Sequence, residues 1–193
     1  DAIVGQIKEP VRREPPKDAL RPEAVMALAK DWRLEGYGGR GEGAAPRLLK
    51  SVYLAEGALA GRNRLMMEKY AAMRAECAFE QTDTDDAELI VVAFGSMARI
   101  ARSAIRRLRA DGRKLGLFRP VTLYPFPAEA LRALAPGRRF LVMEQNTGQM
   151  VEDVLLALNG AAAVSWHGVM PGLFIGADDL TEPILRALKE KKQ

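Results

Sequence analysis

We predict an α/β fold for this chain of 193 residues, specifically a three-layer, doubly wound domain with a mostly parallel sheet. From residue 88 onward, short β-branched apolar runs alternate with helical patterns, as expected of βαβ units. A hydrophobic content of 48% is enough to build a core of domain size. The composition also changes near residue 86, so we assign residues 1–86 to an irregular and helical amino-terminal extension and residues 87–193 to the α/β domain.

The extension is expected to contain a linker followed by one long helix. Prolines set among charged residues make residues 8–22 an extended linker, and the glycine-rich residues 36–43 are unsuited to regular structure. Residues 54–77 carry the longest helical pattern. We expect this helix to lie on the following domain or on a partner subunit, since it is short for a coiled-coil dimer.

The first βα unit of the domain begins with the apolar run 88–94, which suits a strand that is buried on both faces. Gly95 and Ser96 are expected to form a turn with a helix N-cap. Residues 97–110 then place aliphatic side chains on one helical face and arginines on the others. Gly112 suits the left-handed position that ends a helix.

The remaining elements follow the same alternation. We predict strands at 114–118, 139–143 and 161–166, with a short helix at 128–135 and another capped by Asn146 or Thr147. Prolines are expected to keep residues 119–127 out of any sheet interior. The last helix should begin at Asp178 or Thr181, with Pro183 in its first turn.

Composition narrows the classes of function. The net charge of +4 is small, and the arginines of residues 99–109 are not interleaved with base-stacking aromatics, which argues against nucleic-acid binding. Cys77 is the only cysteine, whereas a [4Fe–4S] cluster takes about four thiolates and a structural zinc about four Cys or His ligands. We therefore expect no metal site within this chain. No stretch resembles a secretory signal or a membrane span, which predicts a cytoplasmic protein.

Candidate site residues lie where the parallel strands are expected to end, since ligands and partners of doubly wound sheets meet that edge. The candidates are Gly95, Ser96, Met97, Arg119, Glu144, Asn146 and Gln149. Two interpretations stay open for the polar segment 144–149: its side chains satisfy the following helix and nearby loops, or they bond across an interface. The single histidine, His167, is more typical of a structural residue than of a catalytic triad, so we assign no catalytic residue.

Three stretches of sequence carry a family resemblance. Residues 88–127 contain Val-Val-Ala-Phe-Gly-Ser, Arg-Ala-Asp-Gly and Leu-Phe-Arg-Pro-Val-Thr-Leu-Tyr-Pro-Phe-Pro, and they resemble the transketolase carboxy-terminal domain. Residues 143–154, Met-Glu-Gln-Asn-Thr-Gly-Gln-Met-Val-Glu-Asp-Val, resemble the alpha subunit of 2-oxoacid:ferredoxin oxidoreductases, most closely the 2-oxoisovalerate and 2-oxoglutarate types. Residues 1–10 resemble the exit from that family's pyrimidine-binding domain, so we expect a carboxy-terminal piece of the subunit.

The resemblance implies an activity for the whole enzyme: oxidative decarboxylation of a 2-oxoacid to an acyl-CoA, with reduction of ferredoxin. It also implies thiamin diphosphate, Mg²⁺, iron–sulfur clusters and coenzyme A in the full enzyme, with none of them held by this chain alone. The implied partners are a thiamin-binding beta subunit and an iron–sulfur subunit, with ferredoxin reached through the complex, and a homodimer is a further option. This domain would then serve assembly and active-site enclosure.

Two alternatives stay open at this point. One is the carboxy-terminal domain of a pyruvate dehydrogenase-like beta subunit, which shares the fold and uses a lipoyl carrier; the segment 144–149 argues against it. The other is a nucleotide- or nucleic-acid-binding α/β module that uses the arginines of residues 99–109.

Overall fold

The computed structural model describes residues 51–189, together with the isolated Glu23. The predictions for residues 1–10, 8–22 and 36–43 therefore lie outside the described residues. The chain divides into two compact units, Ile7–Met66 and a second one that consists mainly of Met67–Gln193.

Strands and helices alternate along the described chain. The strands are β1 (Phe79–Thr82), β2 (Leu89–Val92), β3 (Leu115–Pro120), β4 (Arg139–Glu144) and β5 (Val164–Gly168). The α-helices are α1 (Ala58–Ala72), α2 (Gly95–Ala110), α3 (Ala128–Ala133), α4 (Met150–Leu158) and α5 (Ala177–Lys189), and a 3₁₀ turn at Met73–Glu76 follows α1. The long helix predicted for residues 54–77 is thus present as α1 with a tighter last turn.

The five strands form one sheet in the order β1-β3-β2-β4-β5. Strands β2 to β5 pair in parallel, and β1 pairs antiparallel to β3 at one edge. Alternate side chains of the central strands enter two separate cores. Helices α2 and α5 cover one face of the sheet, and α3 and α4 cover the other. The predicted three-layer α/β fold is confirmed.

Strand β1 was not expected from the sequence. It lies ahead of residue 87, so the sheet takes in a segment that the change in composition assigned to the extension. Its pairing with β3 also draws Arg119 and Pro120 into the sheet, in contrast to the loop predicted for residues 119–127. Pro120 is accommodated because β2 pairs with β3 only as far as Phe118, so the proline is opposed by β1 alone.

Three helix starts differ from the predicted ones. Helix α4 begins at Met150, with Gln149 rather than Asn146 or Thr147 in the N-cap position. Helix α2 begins at Gly95, with Phe94 rather than Ser96 in the N-cap position. Helix α5 begins at Ala177, which leaves Pro183 inside the helix and buried instead of in its first turn. The Asp179 side chain closes the start of α5 by accepting a hydrogen bond from the Gly176 N–H (2.7 Å).

Within the described ranges, none of the helices is both long enough and apolar enough to cross a membrane.

Candidate functional site

The candidate site lies where β2 and β4 end side by side in the middle of the sheet. The register pairs Val92 with Val142, so Phe94 and Glu144 reach the same level at the carboxyl edge. From this point the chain turns to α2 on one face and to α4 on the other. This is the switch point of a doubly wound sheet, where crevices open.

Glu144 is the central side chain of this edge and has an exposed fraction of 0%. Its Oε2 accepts a hydrogen bond from the Met150 N–H (2.8 Å). Its Oε1 accepts one from the Val151 N–H (3.2 Å) and one from the Trp166 indole Nε1–H (2.9 Å). One buried carboxylate therefore satisfies the start of α4 and ties that helix to β5. Within this chain, these donors enclose the Glu144 carboxylate.

The loop between β4 and α4 is closed by its own polar groups. Asn146 Oδ1 accepts hydrogen bonds from the N–H groups of Gly148 (2.8 Å) and Gln149 (3.3 Å). Gln145 donates through Nε2 to the Leu173 carbonyl oxygen (2.8 Å), which joins this loop to the one after β5. For Glu144 and Asn146, the first of the two interpretations thus accounts for the observed bonds, while the Gln149 side chain is exposed.

Gly95, Ser96 and Met97 open helix α2 at the same edge. Gly95 has φ +56°, a left-handed conformation that favours glycine, and a side chain placed there would meet open space. Met97 is 3% exposed and belongs to the core, so it does not face a site. The exposed surface at this helix start is therefore formed by Gly95 together with part of Ser96.

Arg119 lies apart from this group, on the other side of β2. Its guanidinium donates to Oε2 of Glu80 on β1 (3.1 Å), and Arg102 of α2 donates to the same oxygen (2.9 Å). The two arginines fasten the edge strand to the sheet and to α2. The structure thus brings six of the seven candidates to one edge and gives Arg119 a separate role.

Two carboxyl groups near these elements have shifted pKa values. Hydrogen bonds from Arg102 and Arg119 lower the pKa of Glu80. Burial raises the pKa of Asp153, and the neighbouring charges of Glu152 and Glu144 add to that rise. The carboxyl edge thus concentrates negative charge at the start of α4, where the helix dipole favours it.

Metal-ligating side chains are scattered among the described residues. Within residues 51–189, no three of the His, Cys, Asp and Glu side chains are grouped so that they could hold a metal ion. The whole chain has a single cysteine, and a cubane cluster takes about four.

Sequence reasoning missed Trp166 and Glu80. Trp166 is the only tryptophan of the sheet, and a buried or half-buried indole N–H requires an acceptor, which was a usable signal. Glu80 was missed because its strand is short and mostly exposed, with no apolar alternation to mark it.

One family model and two solved structures are similar to this chain. Residues 87–180 match the family described as pyruvate:ferredoxin oxidoreductase core domain II. The arrangement of the sheet resembles a 2-oxoglutarate:ferredoxin oxidoreductase from Magnetococcus marinus, with a TM-score of 0.59 over 71% of this chain and 24% of that one, at 17% identity. It also resembles a split-gene transketolase, with a TM-score of 0.50 over 58% of this chain and 42% of that one, at 21% identity. The two solved structures support the fold alone, whereas the family match and the relatives described next are those of 2-oxoacid:ferredoxin oxidoreductases.

Several curated proteins are similar to this chain in sequence. The chain is 37% identical over 95% of its length to the ketoisovalerate oxidoreductase subunit VorB of Methanothermobacter thermautotrophicus. It is 31% identical over 53% of its length to the 2-oxoglutarate synthase subunit KorA of Methanothermobacter marburgensis, covering 28% of that protein. The chain spans about half the length of VorB, since it covers 50% of it. The relatives carry different subunit letters, so the letter does not fix an alpha or a beta designation.

Proposed function

We propose that this chain is the carboxy-terminal part of the alpha subunit of a thiamin-dependent 2-oxoacid:ferredoxin oxidoreductase. In this proposal its α/β domain serves assembly and active-site enclosure, and residues 1–86 lead into it from a pyrimidine-binding domain, with β1 joining the sheet. Thiamin diphosphate, Mg²⁺ and the iron–sulfur clusters are held mainly by a beta subunit and an iron–sulfur subunit.

One observation carries the assembly role: the two ends of the sheet differ in exposed apolar surface. The loops that follow β3 and β5 at the carboxyl end expose six large apolar side chains. These are Val121, Leu123, Tyr124, Met170, Leu173 and Phe174. The described loops at the amino end, residues 83–88, 111–114, 134–138 and 159–163, expose none. Soluble surfaces rarely concentrate apolar side chains in this way unless another surface covers them.

The proposed substrate is a branched-chain 2-oxoacid. Two ketoisovalerate oxidoreductase subunits align with 95% and 98% of this chain, whereas the KorA subunit of Methanothermobacter marburgensis aligns with 53%. We expect the assembled enzyme to have a higher kcat/KM for 2-oxoisovalerate than for pyruvate or 2-oxoglutarate. Steady-state viologen reduction with each acid checks this, and a preference for 2-oxoglutarate would contradict it.

The assembly role is tested by placing charges at the two ends of the sheet. Leu123→Asp and Phe174→Asp should reduce co-purification with the partner subunits, because a carboxylate would be desolvated in the covered surface. Ala161→Asp and Ala163→Asp at the amino end are matched controls, since both positions are exposed and lie in a loop.

The readouts are the amount of complex in size-exclusion chromatography and the CoA-dependent activity per mole of complex. Melting curves of each variant establish that it is folded. Normal assembly of both carboxyl-end variants would contradict the assembly role, and so would an equal loss in the amino-end controls.

The nucleic-acid alternative is disfavoured by the pairing of the arginines of α2. Arg102 pairs with Glu80, Arg107 with Asp178, and Arg109 with Asp83 and Asp86. Arginines engaged with carboxylates are poorly placed to neutralise phosphates. Salt-sensitive binding to random DNA at physiological salt would reinstate this alternative.

A further inference from the structure

A cleft of about 340 Å³ lies between strand β5 and helix α5, away from the segment 144–149. Its polar lining consists of Ser165, His167 and Arg186, and the other lining residues are apolar or glycine. None of the lining residues carries a carboxylate. The cleft therefore offers hydrogen-bond donors and positive charge with no carboxylate in its lining, and the Ser165 hydroxyl already donates a long hydrogen bond to the Phe140 carbonyl oxygen (3.4 Å).

The three polar residues converge from two elements. Ser165 and His167 are two positions apart on β5, so both side chains project from the face of the sheet that α5 covers. Arg186 reaches the cleft from α5. It also pairs with Glu182 (3.4 Å), but this contact is long, and Glu182 lines the neighbouring cleft on the same helix. The Arg186 side chain is 62% exposed, so the surrounding residues do not enclose it.

The backbone of β5 adds further donors. The Phe140 N–H donates to the Ala163 carbonyl, and the Val169 N–H donates to the Glu144 carbonyl. In a strand, the backbone N–H and C=O groups of successive residues point alternately to the two sides. The backbone groups of Ser165 and His167 therefore face β4, as do those of Ala163 and Val169, and the N–H groups of Trp166 and Gly168 face the open edge of the sheet. Among the described strands, β5 has a neighbour on one side only.

We propose that this cleft binds an oxyanion of the phosphate class through Ser165, His167, Arg186 and the edge N–H groups of β5. Several donors that approach from different directions suit a tetrahedral oxyanion. The volume falls in the range of small-molecule sites, so a phosphate group attached to a small organic body fits as well as the free ion. This site is independent of the assembly role proposed above.

His167 provides a direct reporter because it is the only histidine in the chain. Burial lowers its pKa, Arg186 lowers it further, and Glu182 opposes them. The β4 residues on this face, Leu141 and Met143, are apolar. An anion beside the imidazole favours its protonated form, so binding should raise the pKa of His167. By linkage, the anion should bind more weakly as the pH rises through that pKa.

The test follows the His167 ring protons by NMR in the full chain during titration with sodium sulfate and, separately, with inorganic phosphate. Sulfate keeps its charge across the pH range used, and sodium chloride holds the ionic strength constant so that screening does not change. We expect a saturable rise in the pKa of His167 with either anion. Arg186→Gln should weaken binding about tenfold, and Ser165→Ala should weaken it by a smaller factor.

Lys189→Gln is the matched control, since Lys189 is exposed on the same helix and lines the neighbouring cleft instead. It should leave the affinity within about twofold of the original. If AMP binds more tightly than phosphate and adenosine has no effect, the ligand of the cleft is a phosphate ester. If AMP and phosphate bind equally, the cleft recognises the phosphate group alone. A shift no larger than that caused by chloride, or an equal response in Arg186→Gln, would overturn the proposal.

Discussion

At the scale of single residues, Glu144 shows how a buried charge can be tolerated. A carboxylate removed from water is costly unless donors surround it. Here two backbone N–H groups and the Trp166 indole supply them, all within 3.2 Å. The backbone donors belong to the start of α4, where the helix dipole adds to the stabilisation.

We expect Glu144→Gln to lower the free energy of unfolding by about 2 kcal/mol, because an amide group turns one acceptor into a donor that faces other donors. Urea unfolding of the chain measures the change. Glu152→Gln is the matched control, since it removes an exposed carboxylate from the first turn of the same helix. It should cost less than about 1 kcal/mol. Equal losses in the two variants would show that only the helix dipole matters.

At the scale of elements, β1 depends on contacts other than the backbone hydrogen bonds that pair it with β3. Glu80 binds two arginines, Phe79 stacks on Phe118 with ring centroids 5.4 Å apart, and the Ala78 carbonyl accepts from the N–H groups of Val121 and Thr122. A four-residue edge strand with mostly exposed side chains has little core to hold it. Its attachment should therefore respond to the charge of Glu80.

We expect Glu80→Gln to loosen β1 and to remove part of the acid sensitivity of the fold. Because the arginines lower the folded-state pKa of Glu80, its contribution is complete above the ordinary glutamate value and is lost as the pH falls through the lowered one. The contribution should stay under about 1 kcal/mol, since the pair is partly exposed and screened.

Amide hydrogen exchange across β1 and melting curves between neutral pH and about pH 3, below the ordinary glutamate pKa, measure these effects. Glu152→Gln on α4 is the control, because it changes an exposed carboxylate on a helix that packs against α3 and β4. A parallel pH dependence in the original chain and in Glu80→Gln would contradict the prediction.

The elements also show which features a sequence can predict. Strands β2 and β4 were predictable because both faces of each are buried, which requires continuous apolar runs. Strand β1 was not, since its stability comes from partners about 40 positions away, such as the Glu80 contact with Arg119. The grouping of six candidate residues at one edge followed from the strand ends. Whether Glu144 faced inward or outward did not, because that depends on the docking of Trp166.

At the scale of the whole molecule, the asymmetry of the sheet accounts for the proposed role in an assembly. We expect the chain alone to reduce no viologen when supplied with 2-oxoisovalerate and coenzyme A, since one cysteine cannot hold the expected clusters. The complete subunit, assembled with its partner subunits under the same conditions, is the positive control. Turnover by the chain alone above a buffer blank would contradict the proposal.

The triple contact of Glu144 has a consequence for the order of folding. Its two backbone donors lie 6 and 7 residues away along the chain, whereas Trp166 lies 22 residues away and belongs to the next strand. Closing the short loops costs less entropy, so the start of α4 can form before β5 arrives. Trp166→Phe keeps most of the ring and removes the late contact. In stopped-flow chevrons this substitution should therefore speed unfolding and leave the folding rate nearly unchanged. Slower folding would contradict this order, because it would show that the contact with β5 is already formed in the folding transition state.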